Sequence, residues 1–148
     1  MITVKHFLDA AEPDDGQRIW VEPIGLTRDL REWCKVDHVM SHLGPPKELW
    51  EWFQEHPDGY EYFRGSYHET LHKGPYRAAL QQLACAGMKE NFTLVHDGDD
   101  RDHNTATALH EFLSELEAYC PREEEPGETE TRQAKKVQKK PKGIPNDE

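Results

Sequence analysis

The spacing of His68, Glu69 and His72 is His-Glu-x-x-His, which on a helix places two imidazole rings one turn apart on the same face. Both rings could then bind one Zn²⁺ while the glutamate activates a metal-bound water, as in helical metallopeptidases. Helix periodicity argues against this, because both histidines lie about 100° or more from the centre of the apolar face between Tyr60 and Leu71. The sequence that follows also lacks a third ligand at the known spacings. We therefore predict an exposed helical surface and no bound metal.

Asp100, Asp102, Asn104 and Glu111 occupy four ligand positions of a calcium-binding loop. Thr105 stands where that loop needs glycine for its sharp bend, and a strand rather than a helix is predicted to enter it. We instead expect the acidic residues here to cap and charge the N-terminus of the following helix, whose dipole favours negative groups.

His103 and Asn104 are the candidate catalytic residues, because they lie between a predicted strand and the helix that follows it. His103 could act as a general acid or base, or donate a hydrogen bond to a ligand. The alternative is that it only caps the helix or packs at the edge of the core. Ligands of open α/β sheets bind beyond the carboxyl ends of the strands, so we also predict ligand contacts from Glu22, His96 and Asp97.

Length and charge restrict the class of partner. The chain has 148 residues, enough for one domain with a modest core. Residues 1–120 carry 11 Lys and Arg against 22 Asp and Glu, so the net charge of −11 belongs to this part. An acidic surface repels phosphate backbones, and we predict no nucleic-acid partner. No run approaches the roughly 18 apolar residues of a membrane helix, so we predict no membrane association.

Cys34, Cys85 and Cys120 are far apart in the sequence and form no Cys-x-x-Cys pair. The first residues contain no apolar secretory segment. We therefore expect three free thiols that pack or are incidentally exposed, and a cytoplasmic protein.

Three short segments are predicted to form strands. Ile2 to Phe7 and Arg18 to Glu22 are rich in β-formers and flank the turn signal Asp14-Asp15-Gly16, so we expect them to be neighbours, in the simplest case a hairpin. Phe92 to His96 is the clearest strand, a short apolar run bounded by polar residues.

Helices are predicted in the remaining segments of residues 1–120. A weak one covers Val36 to Leu43, before Gly44-Pro45-Pro46 breaks the pattern. The others combine apolar residues at helical spacing with capping signals. They cover residues 27–34, the segment from Pro46 to His56, residues 59–72 and 76–86, and a last helix with apolar positions from Ala106 to Leu116.

This pattern predicts an α/β fold, with a small, mainly parallel sheet packed by helices in three layers, as in Rossmann-like domains. We expect residues 1–120 to form this single domain. Residues 121–148 hold seven acidic and seven basic residues and few apolar ones. Because burial cannot offset the entropy of ordering them, we predict a disordered C-terminal tail.

Several short motifs occur along the chain in an order that is typical of one protein family. They are Ile2-Thr3-Val4-Lys5, Asp14-Asp15-Gly16 with Arg18, Leu49 with Trp52-Phe53, Phe63-Arg64 with Tyr67, Phe92-Thr93-Leu94-Val95, and Asp102-His103-Asn104. Together they resemble the YeaO-like family of small bacterial proteins, known as domain of unknown function 488. The resemblance covers almost all of residues 1–120, and it implies that His68 and His72 occupy ordinary polar positions.

Arg18, Arg64 and Tyr67 lie on motif positions of that family, and on this ground we add them as candidate ligand-binding residues. An internal salt bridge or hydrogen bond that organises the fold is an equal alternative for each. After its second strand the family has V-D-R-L-W-P-R-G, whereas this chain has Val21 to Leu26 there, without either arginine. The resemblance therefore does not extend to an anion site that depends on those arginines.

Four hypotheses for the function remain. We favour an α/β domain with a small-ligand pocket at the carboxyl ends of its strands and an altered or lost activity. A small-ligand hydrolase or transferase would instead use His103 with Asn104, Glu22 or Asp97, and a noncatalytic protein-interaction domain would have no convergent pocket. The zinc peptidase is the last alternative. The sequence indicates no cofactor and no particular partner.

Overall fold

A parallel sheet of four strands lies at the centre of the fold. The computed structural model describes residues 1–121, so the disordered tail predicted for residues 121–148 lies, beyond Pro121, outside the described residues. The strands are β1 (Ile2–His6), β2 (Gln17–Trp20), β3 (His38–Val39) and β4 (Phe92–His96), in the order β1-β4-β2-β3. Their three pairings are parallel, which confirms the predicted α/β class.

The first two strands are not neighbours, so the predicted hairpin is wrong. β1 pairs along one edge of β4, and β2 pairs along the other. All five residues of β4 are buried, as expected for a central strand that is covered on both faces. Apolar character shows that a strand is buried, but it does not say which strand it pairs with, and so the strand order escaped sequence reasoning.

Within the described part of the chain, five α-helices connect the strands and cover the sheet. They are α1 (Arg28–Trp33), α2 (Lys47–Glu55), α3 (Tyr60–Lys73), α4 (Arg77–Ala86) and α5 (Thr105–Leu116). The predicted cap of the first helix is confirmed, because the side chain of Thr27 accepts a hydrogen bond from the amide of Leu30. Within residues 1–121, no helix has both the length and the apolar character needed to cross a bilayer.

Residues 36–43 do not form the weak helix predicted for them. They contain β3 and a 3-10 turn at Ser41–Leu43. In the sheet, His38 lies opposite Ile19 and Val39 lies opposite Trp20. Pairing with the edge of β2 therefore overrides a marginal local preference for helix.

Each face of the sheet is covered by its own apolar cluster. On one face, Ile19 and Leu94 join the main core with side chains of α3, α4 and α5. On the other face, Trp20 and Val95 pack against Cys34 at the end of α1. Successive residues of a strand point to opposite faces, so sequence neighbours enter different clusters. The result is the predicted three-layer arrangement.

Cys85 and Cys120 form a disulfide with their Cα atoms 5.4 Å apart, so the expectation of three free thiols is wrong. The two residues are 35 positions apart and meet because α4 packs against α5 and the turn that follows it. Cys34 is free and buried. The cytoplasmic location was inferred partly from free thiols, and the disulfide removes that support, so the compartment stays a prediction.

Candidate functional site

A cavity of about 270 Å³ opens where β2 and β4 end. Its wall combines residues that follow these two strands with the end of α2 and the start of α5. They include Glu22, Phe53, Asp99, Asp100, His103 and Asn104. This is the edge of the sheet at which open α/β domains bind ligands. We call it the rim cavity, and no lysine or arginine lies among its lining residues.

Glu22 supplies a buried carboxyl group to the rim cavity, and only 1% of the residue is exposed. Its Oε1 accepts a hydrogen bond from the indole Nε1 of Trp50 at 3.0 Å, and its Oε2 accepts one from the amide of Asp97 at 3.1 Å. Burial, followed by the negative charge of Asp97, raises the pKa of Glu22 to about 7, although a hydrogen bond with Thr105 opposes this shift. The carboxyl group therefore changes charge near neutral pH.

His103 and Asn104 both line the rim cavity but have different roles. Asn104 is the N-cap of α5: its Oδ1 accepts from the amide of Thr107 at 2.8 Å, and its Nδ2 donates to the carbonyl of Asp100 at 2.9 Å. The His103 ring is about half exposed, stacks on Tyr60 with a centroid distance of 4.5 Å, and has Nδ1 3.3 Å from the Asp100 carboxylate. The side chain of Asn104 is thus occupied by capping, whereas His103 keeps an accessible edge.

His96 and Asp97 lie at the end of β4. Asp97 reaches the site through its backbone amide, which donates to Glu22, and through its charge. His96 is buried. Its ring lies beside the backbone of Gly98, a residue of the cavity wall, because a Cβ added to Gly98 would lie 3.8 Å from the Nδ1 of His96. That Nδ1 has no hydrogen-bond partner in the described part of the chain. Burial, followed by the charge of nearby His6, lowers the pKa of His96 to about 4, so the ring is neutral at physiological pH.

Arg18 lies elsewhere, in a buried polar cluster that joins β2 to the loop after β1. Its Nη1 pairs with Asp15 at 2.9 Å, and its Nε donates to the carbonyl of Cys34 at 3.1 Å. Its Nη2 donates to the carbonyls of Phe7 at 3.3 Å and Asp9 at 3.1 Å. The guanidinium group therefore organises the fold, and Arg18 does not line the rim cavity.

Tyr67 and Arg64 do not line the rim cavity either. Tyr67 is buried and donates its hydroxyl to the carbonyl of Leu43 at 2.6 Å. Burial, followed by the charge of Glu22, raises the pKa of Tyr67 well above its ordinary value. Arg64 lies on the flank of α3 that faces α5 and pairs with Glu111 at 3.4 Å. Glu111, the last ligand of the hypothetical calcium loop, is therefore used in an ion pair between α3 and α5.

His68 and His72 lie at the flank of α3 that faces α5. His72 is exposed as predicted, whereas His68 is half-buried against α5. The Nε2 of His68 is 2.7 Å from the carbonyl oxygen of Ala108, to which it can only donate. The ring of His72 packs edge-on against Phe112, with a centroid distance of 4.8 Å. Glu69 pairs with a lysine one turn further along the surface. Among the described residues, no group of three His, Cys, Asp or Glu side chains could hold a metal ion.

Sequence reasoning missed Trp50, which holds the carboxyl group of Glu22 in place. At 100° per residue, Trp50 lies to one side of the apolar face of α2 that Leu49 and Phe53 share. A tryptophan displaced from the apolar face often uses its indole N–H as a hydrogen-bond donor. This displacement was the feature of the sequence that could have predicted the role of Trp50.

The parallel sheet, the capped last helix and the acidic cavity at the strand ends define a small open-sheet α/β domain. Residues 1–131 match the family model described as the inactive DUF488-N3 subclade, and the chain belongs to this family. The resemblance to domain of unknown function 488 is thereby confirmed.

The chain also has relatives in mycobacteria. The chain is similar to the uncharacterized protein Rv3073c of Mycobacterium tuberculosis (strain ATCC 25618 / H37Rv) and the uncharacterized protein Mb3100c of Mycobacterium bovis (strain ATCC BAA-935 / AF2122/97). Each is 33% identical over 88 residues, which is 55% of this chain and 70% of the relative. No solved structure matches the chain.

Proposed function

We propose that this chain is a binding domain that holds a small organic cation in the rim cavity and has lost catalytic activity. The observation that carries the proposal is the buried carboxyl group of Glu22 in a cavity lined also by Asp99 and Asp100 but by no lysine or arginine. An amine or guanidinium group would form a charge-assisted hydrogen bond with Glu22, because a carboxylate oxygen can accept more than one bond. Phe53 and Pro57 would contact the apolar part of such a ligand.

Three observations support the loss of activity. The side chain of Asn104 caps α5, and the His103 ring is held by Tyr60 and Asp100. The segment after β2 lacks both arginines found in the wider family, and the cavity wall has carboxylates but no lysine or arginine to attract an anionic substrate. The family description itself calls the subclade inactive.

A small-ligand hydrolase or transferase is the alternative, and the pKa of Glu22 is the observation that favours it. A carboxyl group with a pKa of about 7 is suited to accept and return protons at neutral pH. In that case Glu22, rather than His103, would be the general base. This alternative would be favoured over the binding domain if the chain turned over ester, phosphoester or glycosyl-transfer substrates and the Glu22→Gln variant did not.

Isothermal titration calorimetry with agmatine, which carries an amine and a guanidinium group, tests the binding proposal. The affinity should rise about tenfold between about pH 6 and about pH 8, because Glu22 changes from mostly protonated to mostly ionised over that interval. Glu22→Gln should weaken binding by about tenfold or more at the higher pH, since a charge-assisted hydrogen bond is lost.

The matched control is Glu115→Gln, which removes the same charge from an exposed position of α5 that does not line the cavity. This variant should bind agmatine within about twofold of the unaltered chain, because solvent and salt screen distant surface charges. Succinate should not compete. Equal affinity at both pH values, or tighter binding of succinate than of agmatine, would refute the proposal.

A further inference from the structure

A groove lined by aromatic and proline side chains runs along the outer side of α3, away from the rim cavity. It consists of two adjoining depressions of about 560 and 360 Å³, which share Pro46 and Thr70. Trp52 and Tyr62 line the first, and Tyr76 lines the second. Tyr62 is 62% exposed and Tyr76 is 40% exposed, so both rings are accessible to a ligand. We call this feature the aromatic groove.

Three carboxylates follow the edge of the aromatic groove on α2. Glu48, Glu51 and Glu55 are exposed; Glu48 lines the first depression of the groove, and Lys47 lines the second. At 100° per residue, the three fall within about 60° of one another, beside Trp52. None of them has an ion-pair partner within residues 1–121. The groove therefore combines an accessible aromatic surface with a row of unpaired negative charges, which suits a basic peptide with proline or aliphatic residues.

We infer that the aromatic groove is the docking site of the chain's own basic segment, residues 132–145. The segment reads RQAKKVQKKPKGIP and contains six Lys and Arg but no Asp or Glu. Its basic residues complement the unpaired carboxylates of α2. Its apolar residues, Val137, Pro141, Ile144 and Pro145, are of the kind that pack on aromatic rings. The segment lies outside the described residues.

The residues that connect the folded domain to the basic segment are numerous enough for the segment to reach the aromatic groove. The disulfide holds Cys120 beside Cys85, near the C-terminal end of α4. Tyr76, at the N-terminal end of the same helix, already lines the groove, and the nine residues between Tyr76 and Cys85 rise about 14 Å. The 11 residues from 121 to 131 can span up to about 36 Å. Residue 132 can therefore reach the end of the groove that Tyr76 lines.

Zero-length carbodiimide crosslinking of the full chain, read by mass spectrometry, tests the inference directly. Lysines between 135 and 142 should couple to Glu48, Glu51 or Glu55 roughly fivefold more often than to Glu32, an exposed carboxylate on α1. Raising NaCl from about 50 mM to about 1 M should abolish this preference, because the Debye length falls to about 3 Å. Mixing chains of natural and ¹⁵N isotope content distinguishes couplings within one chain from couplings between two chains.

A pair of full-length variants gives an independent measurement. Replacing the five lysines between 135 and 142 by glutamine should shift the indole N–H resonance of Trp52, while replacing Glu32 by glutamine should not. Trp52→Phe identifies that resonance among the four tryptophans. Equal coupling to Glu32, couplings found only between chains, or an unchanged Trp52 resonance would each overturn the inference.

Discussion

Replacing Glu22 by glutamine should change the pH dependence of the free energy of unfolding, and not only its magnitude. Burial and the charge of Asp97 raise the pKa of Glu22 from 4.5 to about 7 in the folded chain. Between these pH values the folded state keeps a proton that the unfolded state has lost. Glu22 therefore contributes stability that is complete below pH 4.5 and is lost as the pH rises through 7. A pKa difference of this size corresponds to about 3 kcal/mol.

His96 has the opposite effect over nearly the same interval. Burial and nearby His6 and Arg101 lower its pKa from 6.5 to about 4, although Asp9 opposes the shift. Below pH 6.5, His96 is therefore protonated in the unfolded chain but stays neutral in the folded chain. The folded state loses stability as the pH falls toward 4. This contribution also amounts to about 3 kcal/mol, so the two should nearly cancel between pH 4.5 and 6.5 in the unaltered chain.

Single substitutions should reveal each contribution. Glu22→Gln should lose about 1–3 kcal/mol of stability at every pH, because the new amide group faces two hydrogen-bond donors. Relative to the unaltered chain, its free energy of unfolding should also rise by about 3 kcal/mol as the pH increases, because the contribution of Glu22 that falls with pH is gone. In His96→Phe the relative slope should reverse. Urea unfolding followed by tryptophan fluorescence at about pH 4.5, 5.5, 6.5 and 7.5 measures both slopes. Glu115→Gln is the control, and a pH-independent difference between Glu22→Gln and the unaltered chain would refute the reasoning.

Three further changes have definite expected outcomes in urea unfolding at neutral pH. Arg18→Met should lower stability by about 3 kcal/mol, because it leaves buried Asp15 with one lysine partner, and a loss below about 1 kcal/mol would show that the cluster tolerates the change. Reducing the disulfide, or Cys120→Ser, should cost about 2–4 kcal/mol, since it frees a loop of 35 residues, and an unchanged unfolding midpoint would contradict this. Gly16→Ala should cost about 2 kcal/mol or more, because Gly16 has φ of 62° and a Cβ would lie 1.8 Å from a backbone carbonyl oxygen. Gly25→Ala, where a Cβ meets nothing within 4 Å, is the neutral control for that comparison.

Local patterns were sufficient for those elements that local physics decides. The short apolar run from Phe92 to His96, bounded by polar residues, predicted β4, and the cap at Thr27 predicted α1. The helix predicted over Val36 to Leu43 failed because contact with β2 decides the conformation there. The disulfide could not be predicted from local sequence either, because only the packing of α4 beside α5 brings its two cysteines together.

The candidate site shows the same division. The general rule for strand ends placed Glu22, His103 and Asn104 at one rim, and these three side chains do share a cavity. Arg18 and Tyr67 were selected on motif positions alone, and motif position does not distinguish a ligand contact from an internal hydrogen bond. Their burial among backbone carbonyls could be seen only once the chain was folded.

The position of β4 in the sheet has a consequence for synthesis of the chain. β1 pairs only with β4 among the described strands, yet 85 residues separate the end of β1 at residue 6 from the start of β4 at residue 92. At about 5–20 residues per second, a ribosome needs roughly 4–17 s to make that interval. During this time the nascent β1 carries an unpaired backbone and apolar side chains, a state open to association with other chains. Assembly of the sheet must therefore wait until β4 has been translated, and protection of nascent β1 should govern the yield of folded protein.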